Sequence, residues 1–157
     1  MLEAGEYSYQ VFRRDNNLPI DLGDYKKAVL PLFATLNLIG DYPADDLLAE
    51  FDDHLVNYWL VVILALNRDS NVVAYSALAG ILGDEELDLD EAYVDKEYRR
   101  KGIYKEMLTR RIEAAGTMGA RCLNLMPDAN AVQVRYLESQ GFTEYYDGDN
   151  RIYKKDI

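Results

Sequence analysis

At 157 residues, 49% of them apolar and 29% charged, the chain has the length and composition of one globular domain able to bury its own core, which excludes general disorder. One cysteine, Cys122, and one histidine, His54, exclude an internal disulfide and a His- or Cys-rich metal site, so no metal is expected. A net charge of −11 opposes nucleic acid and anionic membrane as partners and attracts cationic molecules or basic peptide segments, unless it serves solubility alone.

A lone thiol suits a compartment that keeps cysteines reduced. The N-terminus lacks the basic-then-apolar pattern of a signal peptide. The longest apolar run, 55–66, includes Asn57 and falls short of the ~20 residues that span a bilayer. The expectation is a single cytoplasmic domain over residues 1–157, monomeric or homodimeric, with no membrane partner.

Alternation at Tyr7, Tyr9 and Val11 predicts a first strand over 7–13, broken by Asp15-Asn16-Asn17 and Pro19. Asp21 or Asp24 can cap a helix carrying Val29, Leu32, Phe33, Leu36 and Ile39, kinked at Pro31 and stopped at Gly40. A second helix follows Pro43, with Ala44, Leu47, Leu48, Phe51 and Leu55 on one face. Asp45, Asp46, Glu50, Asp52 and Asp53 crowd its other face, as solvated surface or as a lip that attracts an amine.

Residues 58–66 and 72–82 are apolar and rich in β-branched and aromatic side chains, with Asn67-Arg68-Asp69-Ser70-Asn71 between them, which predicts a central hairpin. In the next strand, 87–94, Leu87 and Leu89 share one phase and Ala92 and Val94 the other. A β-bulge at Asp90-Glu91 produces such a change, and bulges re-aim side chains at active sites; alternatively Asp88 and Asp90 simply face a polar cleft. A helix over 104–118 follows, then a short buried strand over 120–126, where Cys122 reads as inert packing. A helix from about 129 to 140 ends at Gly141, and a last hairpin pairs 143–147 with 151–155. The order is that of an α+β domain with one mixed, mostly antiparallel sheet.

Several familiar sites are missing. There is no G-x-x-x-x-G-K-S/T loop and no G-x-G-x-x-G after a strand. A Ser-His-Asp triad would depend on His54, on the acidic helix, with no G-x-S-x-G anywhere. The positive signal lies between the fourth strand and the helix after it. Residues 96–111 hold seven of the chain's seventeen Lys and Arg against Glu97 and Glu106, a window of +5 in a chain whose remainder sums to −16. Within it, Arg99-x-x-Gly102-x-Tyr104 opens the helix. Consecutive amides there can hold an anion where the helix dipole favours one. Gly102 lets the backbone approach closely, and Arg99, Arg100 and Lys101 supply charge. A basic surface loop that caps a helix is the plain alternative.

The run V-D-K-E-Y-R-R-K-G-I-Y-K-E-M-L from Val94 resembles motif A of the GNAT-superfamily N-acetyltransferases, Q/R-x-x-G-x-G/A, which binds the pyrophosphate of acetyl-coenzyme A. Asn130, eleven residues before Gly141-Phe142, resembles the family's second motif, and the order of elements fits along essentially the whole chain. The resemblance implies the acyl-CoA N-acyltransferase fold, an α/β three-layer sandwich, with acetyl-CoA as co-substrate and an amine, by charge a cationic one, as acceptor. It implies that backbone groups of Val94 pair with the pantetheine arm, that amides of Arg100, Lys101, Gly102, Ile103, Tyr104 and Lys105 hold the pyrophosphate, and that Asn130 bonds the arm near the thioester. The strands carrying Val94 and Leu123 would splay to admit the acetyl group, and a backbone N–H at Tyr93 or Val94 would stabilise the oxyanion.

Two positions depart from the pattern. Tyr104 stands where Gly or Ala is preferred, so its ring must turn away from the phosphates. Leu137 stands where the family often has a tyrosine acid; its neighbour Tyr136 is turned by about 100° on a helix and is either the acid or packing, solvent protonating the thiolate in the second case. The family's glutamate base, where present, corresponds to Asp88, and Asp90 and Glu91 lie beside it. Each is a candidate base acting through water, since an alkyl amine with a pKa near ~10.4 must lose a proton before it attacks; an exposed strand end is the alternative. The reading is an acetyl-CoA-dependent N-acetyltransferase. Its rivals are a non-catalytic acyl-CoA-binding regulatory domain and an enzyme using another donor such as succinyl-CoA.

Overall fold

The computed structural model describes residues 6–14, 49, 53–55, 57–126 and 131–157, without the side chains of 131–133. Among them are seven strands, β1 (Ser8–Arg13), β2 (Trp59–Leu66), β3 (Val72–Ala79), β4 (Glu86–Val94), β5 (Cys122–Leu125), β6 (Thr143–Asp147) and β7 (Asn150–Asp156). Two helices, α1 (Ile103–Thr117) and α2 (Ala131–Ser139), and a single 3-10 turn at Lys96–Tyr98 complete them. The strands form one sheet in the order β1-β2-β3-β4-β5-β7-β6. Only the β4–β5 pair is parallel, so the sheet is mixed and mostly antiparallel, as expected. The two helices expected between 21 and 55 lie largely outside the described residues; 53–55 are helical. No helix among the described residues is long and apolar enough to cross a membrane.

β2 and β3 are buried along their whole length, which is why they read as continuous apolar runs rather than alternating ones. One core lies beneath α1 and α2, with Val61, Ile63, Leu78, Leu87, Leu89, Met107, Leu108, Leu123 and Leu137 in it. The other lies on the opposite face and contains Leu55, Trp59, Val62, Leu64, Tyr75 and Ala77. Fully burying each aliphatic side chain contributes roughly 1.5–3 kcal/mol. β3 ends at Ala79 rather than at 82 because Gly80 turns the chain at φ +143.

The sheet bulges three times. Trp59 opposes Ala79 and Val61 opposes Leu78, which leaves Leu60 extra on β2. Ala65 opposes Ala74 and Leu66 opposes Val72, which leaves Val73 extra on β3. On β4, Ser76 opposes Ala92 and Leu78 opposes Leu89, so Asp90 and Glu91 together face Ala77. This third bulge is where the phase change predicts it. Each bulge sets two consecutive side chains on one face: Leu60 with Val61 and Val73 with Ala74 face the helices, whereas Asp90 and Glu91 face the other way, toward Trp59 and Tyr75.

α1 buries Ile103, Met107, Leu108, Arg111, Ala114 and Ala115, a stripe of helical period. It ends where Met118 donates back to Ala114 and Gly119 takes φ +88. α2 buries Leu137 and closes with Phe142 N–H on the Leu137 carbonyl, with Gly141 at φ +89 between them. The Lys155 ammonium donates to the Gln140 carbonyl at that end.

Candidate active site

β4 and β5 pair over three rungs, Glu86 with Cys122, Leu87 with Leu123 and Asp88 with Asn124. Beyond Asp88 the ladder stops, and β4 runs on for six residues to Val94 beside no strand on that side among the described residues. The strands carrying Val94 and Leu123 therefore part, leaving one edge of β4 open. Asp95 N–H donates to the Val73 carbonyl, so by antiparallel alternation the amides of Val94 and Ala92 point to the open side and that of Tyr93 points to β3. Of the two amides considered for the oxyanion, Val94's faces the split.

Past Val94 the chain turns through the 3-10 segment, capped by the Asp95 carboxylate on Glu97 N–H, and reaches two residues of positive φ, Arg100 at +62 and Gly102 at +83. Gly102 is the N-cap of α1, and no side chain caps the helix. The first intrahelical bond is Glu106 N–H to the Gly102 carbonyl, so the amides of Ile103, Tyr104 and Lys105 have no helical acceptor. A Cβ built on Gly102 would meet nothing within 4 Å; the glycine serves the left-handed backbone and keeps that approach open. A hollow of about 200 Å³ lies there, lined by Val94, Tyr98, Arg100, Gly102, Ile103, Tyr104, Lys105 and Tyr136.

The other cations are held locally. Arg99 Nε donates to the Val94 carbonyl at 2.9 Å, and its guanidinium lies 5.6 Å from the Tyr93 ring centre. Lys101 Nζ lies 5.4 Å from the ring centre of Tyr98. Arg99 thus shapes the loop and uses the Val94 oxygen, leaving the Val94 N–H toward the split.

Tyr136 is turned to this hollow, whereas Leu137 is fully buried in the core. The Tyr136 ring meets Tyr104 edge-on at 5.9 Å. Its hydroxyl is buried with no hydrogen-bond partner among the described residues. Burial, then Tyr104, raises its pKa, which keeps the proton on at neutral pH. Asn130 lies outside the described residues.

The carboxylates of β4 gather on the sheet face away from α1. Asp90 Oδ2 accepts from Trp59 Nε1 at 2.7 Å, and Glu91 Oε2 accepts from the Tyr75 hydroxyl at 3.1 Å. Tyr75 stands between Trp59 and Tyr93, with ring centres 6.2 and 6.5 Å away. Burial, then the Glu91 carboxylate, raises the Tyr75 pKa, so Tyr75 stays a donor. Asp88 sits on the last β4–β5 rung. Burial and then the neighbouring carboxylates of Asp90 and Glu86 push its pKa up, against a hydrogen bond with the Asn124 side chain. Had β4 kept its period, Glu91 and Tyr93 would face the helices; the bulge brings Asp88, Asp90, Glu91 and Tyr93 to one face.

Cys122 lies on this polar face rather than in the core, half-buried, its Sγ 4.0 Å from Asn124 Oδ1. Burial raises the thiol pKa, which disfavours the nucleophilic thiolate.

Arg111 is the residue that sequence reasoning missed. Counted there among the loop's cations, it is 0% exposed, beneath the sheet. The available signal was its place on the apolar stripe of α1, four residues after Met107 and four before Ala115. Its Nη1 donates to the carbonyls of Ala77 at 3.1 Å and Asp90 at 3.4 Å.

The model of the acetyltransferase (GNAT) family matches residues 31–142. A GNAT-family acetyltransferase from Staphylococcus aureus Mu50 shares the fold with a TM-score of 0.67 at 20% identity, over 95% of this chain and 99% of that one. The PaiA N-acetyltransferase of Thermoplasma acidophilum, solved in complex with coenzyme A, gives 0.65 at 16% identity over 96% and 99%. A GNAT-family acetyltransferase from Streptococcus pneumoniae TIGR4 gives 0.62 at 22% identity over 87% of each chain. No curated protein matches the chain significantly. With the family match spanning most of its length and the sheet splitting beside an uncapped helix start, this chain belongs to the GNAT acetyltransferase family.

Proposed function

We propose that this protein transfers an acetyl group from acetyl-coenzyme A to a primary amine by direct attack of the amine on the thioester carbonyl. The observation that carries the reading is the uncapped start of α1 at a left-handed Gly102, opening on a hollow beside Val94, at the end of the stretch of β4 that no longer pairs with β5. Amides aligned at a helix N-terminus suit a pyrophosphate, and Arg100 and Lys105 border the same hollow. The residues present fit the co-substrate.

Each step has a residue suited to it. The Val94 N–H at the open edge of β4 stabilises the oxyanion that develops as the amine nitrogen bonds to the carbonyl carbon. The amine proton passes, through water, to Asp88, whose raised pKa makes it a better base than an ordinary aspartate. As the carbon–sulfur bond breaks, the Tyr136 hydroxyl gives the departing thiolate its proton. Asp90 and Glu91, backed by Trp59, Tyr75 and Tyr93, suit a cationic acceptor, because carboxylates and ring faces both attract an ammonium group.

Calorimetric titration with acetyl-CoA and with coenzyme A, followed by thiol release across a panel of amines, tests the reading. Binding with amine-dependent thiol release supports it; binding without release for any amine makes the protein a binding module; no binding at millimolar ligand removes it. Gly102→Val places a β-branched side chain at φ +83, a strained conformation, and its methyls in the anion's approach. Affinity for coenzyme A should fall by about 100-fold or more.

A further inference from the structure

Arg111 is the largest charged side chain buried completely in the described fold, and its placement is specific. It leaves the apolar stripe of α1 and runs up to the underside of β4 at the acidic bulge. A bulge leaves backbone groups without ladder partners, and a buried carbonyl without a donor is costly. The two carbonyls that Arg111 Nη1 reaches, Ala77 and Asp90, belong to the two sides of this bulge. Burial lowers the Arg111 pKa, and the Tyr104 hydroxyl, from the wall of the hollow, works against that fall together with the Asp90 carboxylate. Nε and Nη2 meet no acceptor in hydrogen-bonding geometry among the described residues.

A buried guanidinium with unused donors is a poor stabiliser. A hydrophobic side chain of similar volume would often serve stability as well or better. At the two apolar bulges of the same sheet the extra residues, Leu60 and Val73, are packed in the core, and their carbonyls accept the backbone N–H groups of Arg14 and Asp95. The acidic bulge differs because its side chains are carboxylates that repel one another on the open face. We propose that Arg111 is a positioning residue: its guanidinium pins the two bulge carbonyls from the helix side and so keeps Asp90 and Glu91 together on the acceptor face. Its charge also interacts favourably with the Asp90 carboxylate.

Amide hydrogen exchange on the purified protein tests the geometry without any assay of activity. In Arg111→Met, which keeps an unbranched side chain and removes every donor, exchange at residues 90 and 91 should rise about tenfold or more relative to wild type, while Val62 and Leu64 on β2 change less than about threefold. Arg111→Lys, which keeps the charge and one donor group, should recover most of the protection. A uniform rise across the sheet, or no local rise, overturns the proposal. If Arg111→Met does not fold, the same local-against-uniform comparison is read on Arg111→Lys, with an expected local rise of about two- to tenfold.

The kinetic consequence rests on the proposed acyl transfer. There kcat of Arg111→Met should fall by about 30-fold or more with KM for acetyl-CoA within about threefold, and Arg111→Lys should restore part of it. An unchanged kcat per folded molecule overturns the positioning role. If the wild-type protein turns over no amine, the acyl-transfer reading fails, and the exchange result still decides what Arg111 does to the bulge.

Discussion

The bulge at Leu60–Val61 and the bulge at Asp90–Glu91 are the same backbone device put to opposite uses. Both add one residue to a strand and turn two consecutive side chains to one face. At the first, both side chains are at most 2% exposed and pack under α1, with a paired neighbour on each side of β2. At the second, β4 has just lost β5, and the two side chains are carboxylates on the far face, held by Trp59 and Tyr75. A bulge inside a fully paired pair of strands refines packing. A bulge beside a split aims polar groups into the space the split creates.

If that contrast is right, the two bulges fail in different ways when altered. The largest loss of stability belongs to the apolar one: Leu60→Ala should lower the unfolding free energy by about 2–5 kcal/mol, through lost burial and a residual cavity. Urea unfolding measures this, and affinity for coenzyme A should not change in the folded protein. At the acidic bulge, Asp90→Asn combined with Glu91→Gln keeps an oxygen for Trp59 Nε1 and one for the Tyr75 hydroxyl, so stability should move by less than about 1 kcal/mol. KM for a cationic amine should rise by about tenfold or more, with coenzyme A affinity unchanged, since a charge-assisted contact is lost. A large fall in stability there, with an unchanged KM, would erase the distinction between the two bulges.

The smallest effect is a matter of pH. Asp88 carries a folded-state pKa above the ordinary aspartate value, because of burial and then its acidic neighbours. Such a group stabilises the fold fully below its unfolded pKa, and that contribution is lost as pH rises through the folded one. At pH 7 the ionised Asp88 is therefore a liability, and Asp88→Asn should raise Tm slightly. The gain should shrink to nothing as the pH drops below about 3.9. Paired thermal scans of the two proteins across that range check it, and a gain that persists in acid would remove the raised pKa as its cause.

The acidic bulge was legible in the sequence while the two apolar ones were not, and the reason is physical. Leu87 and Leu89 change phase with Val94 across Asp90-Glu91, and a phase break shows only where polar and apolar residues alternate. β2 and β3 are buried on both faces, so an extra residue such as Leu60 or Val73 leaves no mark in an unbroken apolar run. The cation-rich start of α1 at Gly102 was also readable, because charge and spacing are local, whereas the left-handed φ of that glycine came from the structure. Arg111 escaped for the converse reason: a charge on a helix suggests surface, and its burial depends on two carbonyls that β3 and β4 bring together across the fold.

By itself, then, the sequence determined the order of elements among the described residues, the cation-rich loop over Arg99–Lys105 that opens α1, and the bulge that turns Asp90 and Glu91 to one side. These follow from local periodicity and from what single residues permit the backbone to do. Tertiary structure alone decided that β4 and β5 part after the rung of Asp88 and Asn124, that Tyr136 rather than Leu137 meets the hollow, and that a buried arginine supports the bulge. Those outcomes depend on pairing register and helix rotation, which groups distant in the chain set together.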